Sequence, residues 1–142
     1  MTNLKESSIL IIDDNENNLE IIEDFLNKAD YKTTISVSNI TMAYEVLQKY
    51  EIDLILLDMI MPNIDSLDVA KHLKQEKQTK NIPIILLTSK NDTNTILDIK
   101  DIEINNYIKK PIINDKELLF KVKNGLFLKS KIDELKKSNK ER

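Results

Sequence analysis

The stretch Ile52-Asp53-Leu54-Ile55-Leu56-Leu57-Asp58-Met59-Ile60-Met61-Pro62 constrains the fold more than any other part of this chain. Its apolar run, Leu54 to Leu57, puts hydrophobic side chains on both faces of an extended segment. Such a strand belongs in a parallel sheet covered by helices on both sides. The run stops on a carboxylate, Asp58, with a proline four residues later. In open sheets of this kind ligands gather beyond the carboxyl ends of the strands. Asp58 is thereby placed at the rim, where chemistry takes place.

The rest of the chain supplies further strands and the helices between them. Ser8 to Ile12 is a β-branched apolar run that ends on Asp13-Asp14. Asn15 can cap a helix on which Leu19, Ile22, Phe25, Leu26 and Ala29 recur at helical spacing. Tyr31 to Val37 alternates as a second strand, and Ser38 or Asn39 can cap a helix carrying Ile40, Ala43, Val46, Leu47 and Tyr50. Ile52 to Leu57 is the third strand. Pro62-Asn63 marks a loop, and Asp65 or Ser66 starts a helix with Leu67, Ala70 and Leu73 inward. Gln75 to Asn81 is polar and loop-like. Ile82 to Leu87 is the fourth strand and ends on Thr88-Ser89. A short helix is expected around Ile96 to Ile99. Asn106 to Lys109 forms a fifth strand ending on Lys110-Pro111, and Asn114 or Asp115 caps a last helix with Leu118, Leu119, Val122 and Leu126. Five strands alternating with five helices predict an α/β doubly wound, five-stranded parallel sheet. A chain of 142 residues suits one such domain.

Composition removes several function classes. There is one glycine, Gly125, so no glycine-rich phosphate loop can be written. There is no cysteine, which excludes disulfides and thiolate metal sites and makes a reducing cytoplasm the expected setting. No apolar run reaches the ~18 residues of a membrane span, and the N-terminus lacks a signal-peptide pattern, so no membrane partner is expected. The net charge of −3 argues against broad nucleic-acid binding. The charge is uneven: residues 129–142 hold six basic and three acidic side chains, a net +3, which leaves −6 on residues 1–128.

Strands one, three, four and five each finish on a chemically useful group: Asp13 and Asp14, Asp58, Thr88, Lys110. In a parallel sheet these ends share one edge. Three adjacent carboxylates call for a cation, and an all-oxygen donor set without His or Cys suits a hard ion, Mg²⁺. A metal on one side of Asp58 and the Lys110 ammonium on the other would bracket a group carrying dispersed negative charge. Thr88 adds a hydroxyl donor. Phosphoryl transfer needs such a clamp, and a carboxylate can itself be the nucleophile that forms an acyl phosphate. Taken singly, the same residues have plainer readings. Asp13-Asp14 can cap a helix, Thr88 can make a local strand-end bond, and Tyr107 can be a core aromatic. His72, the sole histidine, lies on a charged helical stretch and reads as a surface residue.

In this order and spacing, Ile11-Ile12-Asp13-Asp14-Asn15, Leu57-Asp58-Met59-Ile60-Met61-Pro62, Leu87-Thr88-Ser89 and Tyr107-Ile108-Lys109-Lys110-Pro111 resemble the receiver domains of two-component response regulators. The resemblance covers about residues 7–127 and implies a flavodoxin-like, CheY-like fold. It implies Asp58 as phosphoacceptor and Mg²⁺ held by Asp13, Asp14, Asp58 and the backbone carbonyl of Ile60. Thr88 and Lys110 would contact the phosphoryl oxygens, with Lys110 preferred over Lys109 because it directly precedes the proline. Tyr107 matches the aromatic that turns inward with the threonine. Ile60 and Lys90 occupy the positions that tune hydrolysis of the acyl phosphate. The donor would be a sensor histidine kinase or phosphotransfer protein, with the receiver itself catalysing the transfer. The output would be a downstream effector, an output domain outside this sequence, or a second copy docked through the predicted fourth helix, fifth strand and fifth helix.

Two departures concern loop geometry. Receivers usually carry Gly after the Asp of the MPxxD segment, where this chain has Asp65-Ser66, and Gly-Ala before strand five, where it has Glu103-Ile104. A phosphorylation-independent interaction module on the same fold is the competing expectation. An aspartate-nucleophile phosphatase needs a second Asp where Ile60 stands, and a cap domain for which there is no room. Beyond the body, Leu128, Ile132 and Leu135 continue at coiled-coil-like spacing. Residues 128–142 read either as a frayed helix end or as a helical connector that pairs in a dimer or leads to an output domain.

Overall fold

The computed structural model describes residues 3–88, 106–110, 112 and 114–140. In chain order the elements are β1 Ile9–Ile12, α1 Glu16–Lys28, β2 Thr34–Val37, α2 Ile40–Lys49, β3 Leu54–Asp58, β4 Ile60–Met61, β5 Ile64–Asp65, α3 Ser66–Gln75, β6 Ile84–Thr88, β7 Asn106–Lys109 and α4 Asp115–Lys140. Five strands form one parallel sheet in the order β2-β1-β3-β6-β7. The helix expected around residues 96–99 lies outside the described residues.

Strand alternation divides the core in two. Leu10, Ile12, Ile55, Leu57, Ile84 and Leu86 pack with Ala43 of α2 and Ala70 and Leu73 of α3. Their neighbours Ile9, Ile11, Leu54, Leu56, Ile85 and Leu87 point the other way, to Leu19, Ile22 and Leu26 of α1 and Leu118, Val122 and Leu126 of α4. The continuous apolar runs follow from this, since both faces of each central strand are covered. Side-chain caps fix the helix starts. Asn15 accepts from Asn17 and Asn18 N–H, Asn39 from Met42 N–H, and Asp65 from Leu67 and Asp68 N–H. The paired choices at the second and third helices thus resolve to Asn39 and Asp65.

The expected loop at Pro62-Asn63 is present, and one strand boundary needs correction. The Pro62-Asn63 loop is the tip of a small antiparallel hairpin, β4 on β5, with Asn63 in the left-handed region at φ 61°. Asparagine adopts that conformation more readily than other non-glycine residues, so no glycine is needed there. The second strand begins at Thr34 rather than Tyr31, because Tyr31 N–H closes the end of α1 by donating to Leu26 O and its ring is buried.

The sole glycine serves close packing. A Cβ at Gly125 would stand 2.8 Å from Cδ1 of the fully buried Leu54, so any side chain there requires that methyl group to shift. Replacing it with valine overpacks this contact and puts a β-branched residue in a helix. Gly125→Val is expected to lower the unfolding free energy by roughly 2–3 kcal/mol, read from the urea midpoint at unchanged m-value.

α4 runs unbroken to Lys140, so the expected extension is helical and continuous with the body. Phe120, Phe127, Leu128 and Leu135 are exposed along it. Lys129 Nζ lies 3.8 Å from Asp53 Oδ1, and Asp53 Oδ2 accepts from Ser8 N–H at 2.9 Å. The helix is thereby tied to the starts of β1 and β3. Among the described residues no helix is long and apolar enough to cross a membrane.

Candidate phosphoryl-transfer site

The strand order reverses direction of growth between β1 and β3, the place where doubly wound sheets bind ligands. Asp13 and Asp14 follow β1, Asp58 ends β3 and Lys110 follows β7, so the sheet brings four dispersed positions to one edge. Asp13, Asp14 and Asp58 each offer a carboxylate oxygen, all within 4.8 Å of one another. Asp13 and Asp58 are buried and Asp14 is exposed. With Asn15, Asn18, Ile60 and Lys110 they line a cleft of about 280 Å³.

Lys110 joins the two buried carboxylates. Its Nζ is 3.0 Å from Asp13 Oδ2 and 3.1 Å from Asp58 Oδ1. Asp13 Oδ1 accepts from Asn15 N–H at 2.9 Å, and Asp58 Oδ1 accepts from Ile60 N–H at 3.2 Å. Burial pushes the Asp58 carboxyl up to about 6, with the nearby Asp13 charge adding to it, while the Ile60 and Lys110 hydrogen bonds oppose the shift. For Lys110, burial works to lower the pKa, and the hydrogen bonds to Asp13 and Asp58 outweigh it, leaving the ammonium above its ordinary value.

The remaining expected residues fall as follows. Thr88 is buried at the end of β6, and Lys110 N–H donates to its carbonyl at 2.7 Å. Tyr107 is half-buried in β7 against the α2/α3 core, with the Lys121 ammonium 5.3 Å from its ring centroid. Ile60 is exposed at the cleft. Lys90 lies outside the described residues. His72 is exposed beside Glu76, as its surroundings in the sequence predict. Sequence reasoning did not single out Asn18, and it read Ser66 only as an alternative helix start and as a departure from the usual glycine, not as part of the site. Asn18 lies three residues after the Asn15 cap and so returns to the cleft on the first helical turn.

Chemically, three carboxylate oxygens without nitrogen or sulfur donors fit a hard, oxygen-loving divalent cation. Beside them stands a fixed ammonium on the phosphoacceptor candidate.

The chain belongs to the response regulator receiver domain family, whose pattern matches residues 9–123. It is therefore a receiver of the two-component type. It is 33% identical over 116 residues to the phosphate regulon transcriptional regulatory protein PhoB of Pseudomonas aeruginosa, covering 82% of this chain and 50% of that protein. The chain spans a fifth to a half of the length of the first curated relatives it matches. The signal receiver domain of an HD domain-containing protein from Pseudomonas fluorescens Pf-5 has the same fold, with TM-score 0.82, 27% identity, and coverage of 94% of this chain and 96% of that one. The receiver domain of the sensor histidine kinase PA1611 from Pseudomonas aeruginosa shares the fold at TM-score 0.74 and 23% identity, covering 85% and 98% of the two chains. That protein carries a magnesium ion in its active site cleft.

Proposed function

We propose that Asp58 accepts a phosphoryl group from a phosphohistidine on a sensor kinase or phosphotransfer protein, and that the acyl phosphate switches a protein-interaction surface. One observation carries this reading: the Lys110 ammonium bridges Asp13 and Asp58 within the three-carboxylate cluster at the sheet edge. An Asp58 oxygen attacks phosphorus, a P–O bond forms as the P–N bond breaks, and the departing imidazole takes a proton from solvent. Lys110 balances charge on the transferred oxygens, and the Thr88 hydroxyl donates to one of them. Asp13, Asp14, Asp58 and the Ile60 carbonyl would hold Mg²⁺, which when bound supplies further positive charge to the phosphoryl oxygens. Receivers work through histidine kinases and effectors, and here β7 with Tyr107 and the exposed Phe120 and Phe127 of α4 form the surface that would carry the output.

Incubation with acetyl phosphate and Mg²⁺, followed by intact mass measurement, tests this. One phosphoryl group is expected on the protein, none with chelator. No gain, with beryllofluoride also silent, would favour a phosphorylation-independent module. Size-exclusion of the same samples reads whether the modification drives self-association.

Ile60 carries a further expectation. Its exposed aliphatic side chain cannot orient an attacking water, so the phospho-Asp58 form is long-lived. Ile60→Asn, which restores an orienting amide, is expected to speed phosphate loss about tenfold, followed by decay of the phosphorylated mass. An unchanged half-life would sink the idea.

A further inference from the structure

Behind the acidic cluster lies a buried hydroxyl. Ser66, the first residue of α3, is 1% exposed, and its Oγ donates to the main-chain carbonyl of Asp58 at 2.6 Å. The next backbone group is held as well, for Met59 N–H donates to Leu87 O at 2.8 Å. The peptide joining Asp58 to Met59 is thus bonded at both its carbonyl and its amide. A peptide unit is planar and rigid, so these two bonds fix its rotation. Immediately beyond it, Ile60 N–H returns to Asp58 Oδ1. Turning that peptide would therefore move both the Asp58 carboxylate and the Ile60 main chain. The side chain of neighbouring Asp65 is already occupied, accepting from Leu67 and Asp68 N–H. Ser66 also closes the segment whose middle is held by the Ile60–Asp65 and Met61–Ile64 strand pairs.

We propose that Ser66 is a positioning residue for the phosphoryl-accepting site, its hydroxyl locking the Asp58–Met59 peptide so that the Asp58 carboxylate and the Ile60 carbonyl face the cleft together. The inference rests on the reading of Asp58 as phosphoacceptor.

The test compares the wild type with Ser66→Ala and Ser66→Gly in the full chain. It measures Mg²⁺ affinity by calorimetry, the initial rate of acetyl-phosphate labelling, and hydrogen exchange of the Ile60 amide. Outer-layer partners of metal ligands typically contribute about 10–100-fold in affinity. Loss of the hydroxyl is expected to weaken Mg²⁺ binding about tenfold, slow labelling, and quicken Ile60 exchange relative to the amides of β3. A folded Ser66→Ala that melts earlier, yet keeps wild-type Mg²⁺ affinity and Ile60 protection, would show a merely structural bond and overturn the proposal. Should Ser66→Ala fail to fold, Ser66→Gly decides in the same way. A wild type inert to both Mg²⁺ and acetyl phosphate would overturn the underlying reading and this inference with it, and is distinguishable because no variant is needed to see it.

Discussion

Asp58→Asn is expected to lose all phosphoryl incorporation and, in metal-free buffer at pH 7.5, to be more stable than the wild type. The first effect follows because a carboxamide is no nucleophile. The second follows from the position of Asp58, which is buried beside Asp13 with its pKa raised to about 6 mainly by burial. The folded protein holds this proton more tightly than the unfolded chain, whose Asp titrates near ~3.9. The stabilisation from the protonated form is therefore full below ~3.9 and is lost as pH rises through about 6. Above that, the ionised carboxylate is a standing cost. A shift of this size corresponds to about 1–3 kcal/mol, with the opposing pull of Lys110 already included in it. Asparagine keeps an acceptor for Ile60 N–H and Lys110 without the charge. A rise in Tm of roughly 3–9 °C is expected, shrinking toward pH 5 and closing when Mg²⁺ is added to the wild type. A variant melting at or below the wild type at pH 7.5 without metal would show that the Lys110 pair outweighs desolvation.

Lys110→Ala is expected to act in the opposite direction. It strips the ammonium from two carboxylates whose side chains are 0% and 4% exposed. Removing one partner of a buried pair typically costs about 3–5 kcal/mol. Here Asp58 can partly escape by taking up a proton, since Lys110 is one of the groups holding its pKa down, so a loss of about 3 kcal/mol is expected. The same variant should bind Mg²⁺ about tenfold more tightly, because the cation no longer competes with an ammonium for the Asp13 and Asp58 oxygens. Labelling by acetyl phosphate should nevertheless fall roughly 10²-fold, the usual loss on removing one donor to a developing anion. Chemical denaturation with and without Mg²⁺, beside mass spectrometry, separates these effects. Unchanged stability and unchanged Mg²⁺ affinity together would remove Lys110 from the site.

Much of this was legible in the sequence because it rests on local pattern. Runs such as Ile9–Ile12 and Leu54–Leu57 announce strands covered on both faces, and Asn15, Asn39 and Asp65 announce helix starts. The gathering of Asp13, Asp14, Asp58 and Lys110 was also readable, since strand ends of a parallel sheet share an edge. What the sequence hid depends on contacts between distant or irregular segments. The double contact of Lys110 spans 97 positions to Asp13. The burial that lifts the Asp58 pKa comes from neighbouring elements rather than from adjacent residues. The β4/β5 hairpin is too short for any periodicity, and the Ser66 bond to Asp58 O rests on a side chain that looked like a defect in a motif. Gly125 carried no motif at all; only the 2.8 Å approach to Leu54 gives it a role.

The unbroken α4 has a mechanical meaning. From Leu126, the last buried residue of its inner face among the described residues, to Lys140 the helix rises about 1.5 Å per residue, or roughly 21 Å. Such a rod amplifies angle into distance: a tilt of ~10° at its seat displaces the far end by about 4 Å. Its seat is the Lys129–Asp53 pair and the tight Gly125–Leu54 packing. Small adjustments around β3, the strand that ends on Asp58, would thus be felt as large excursions at the tip of the helix.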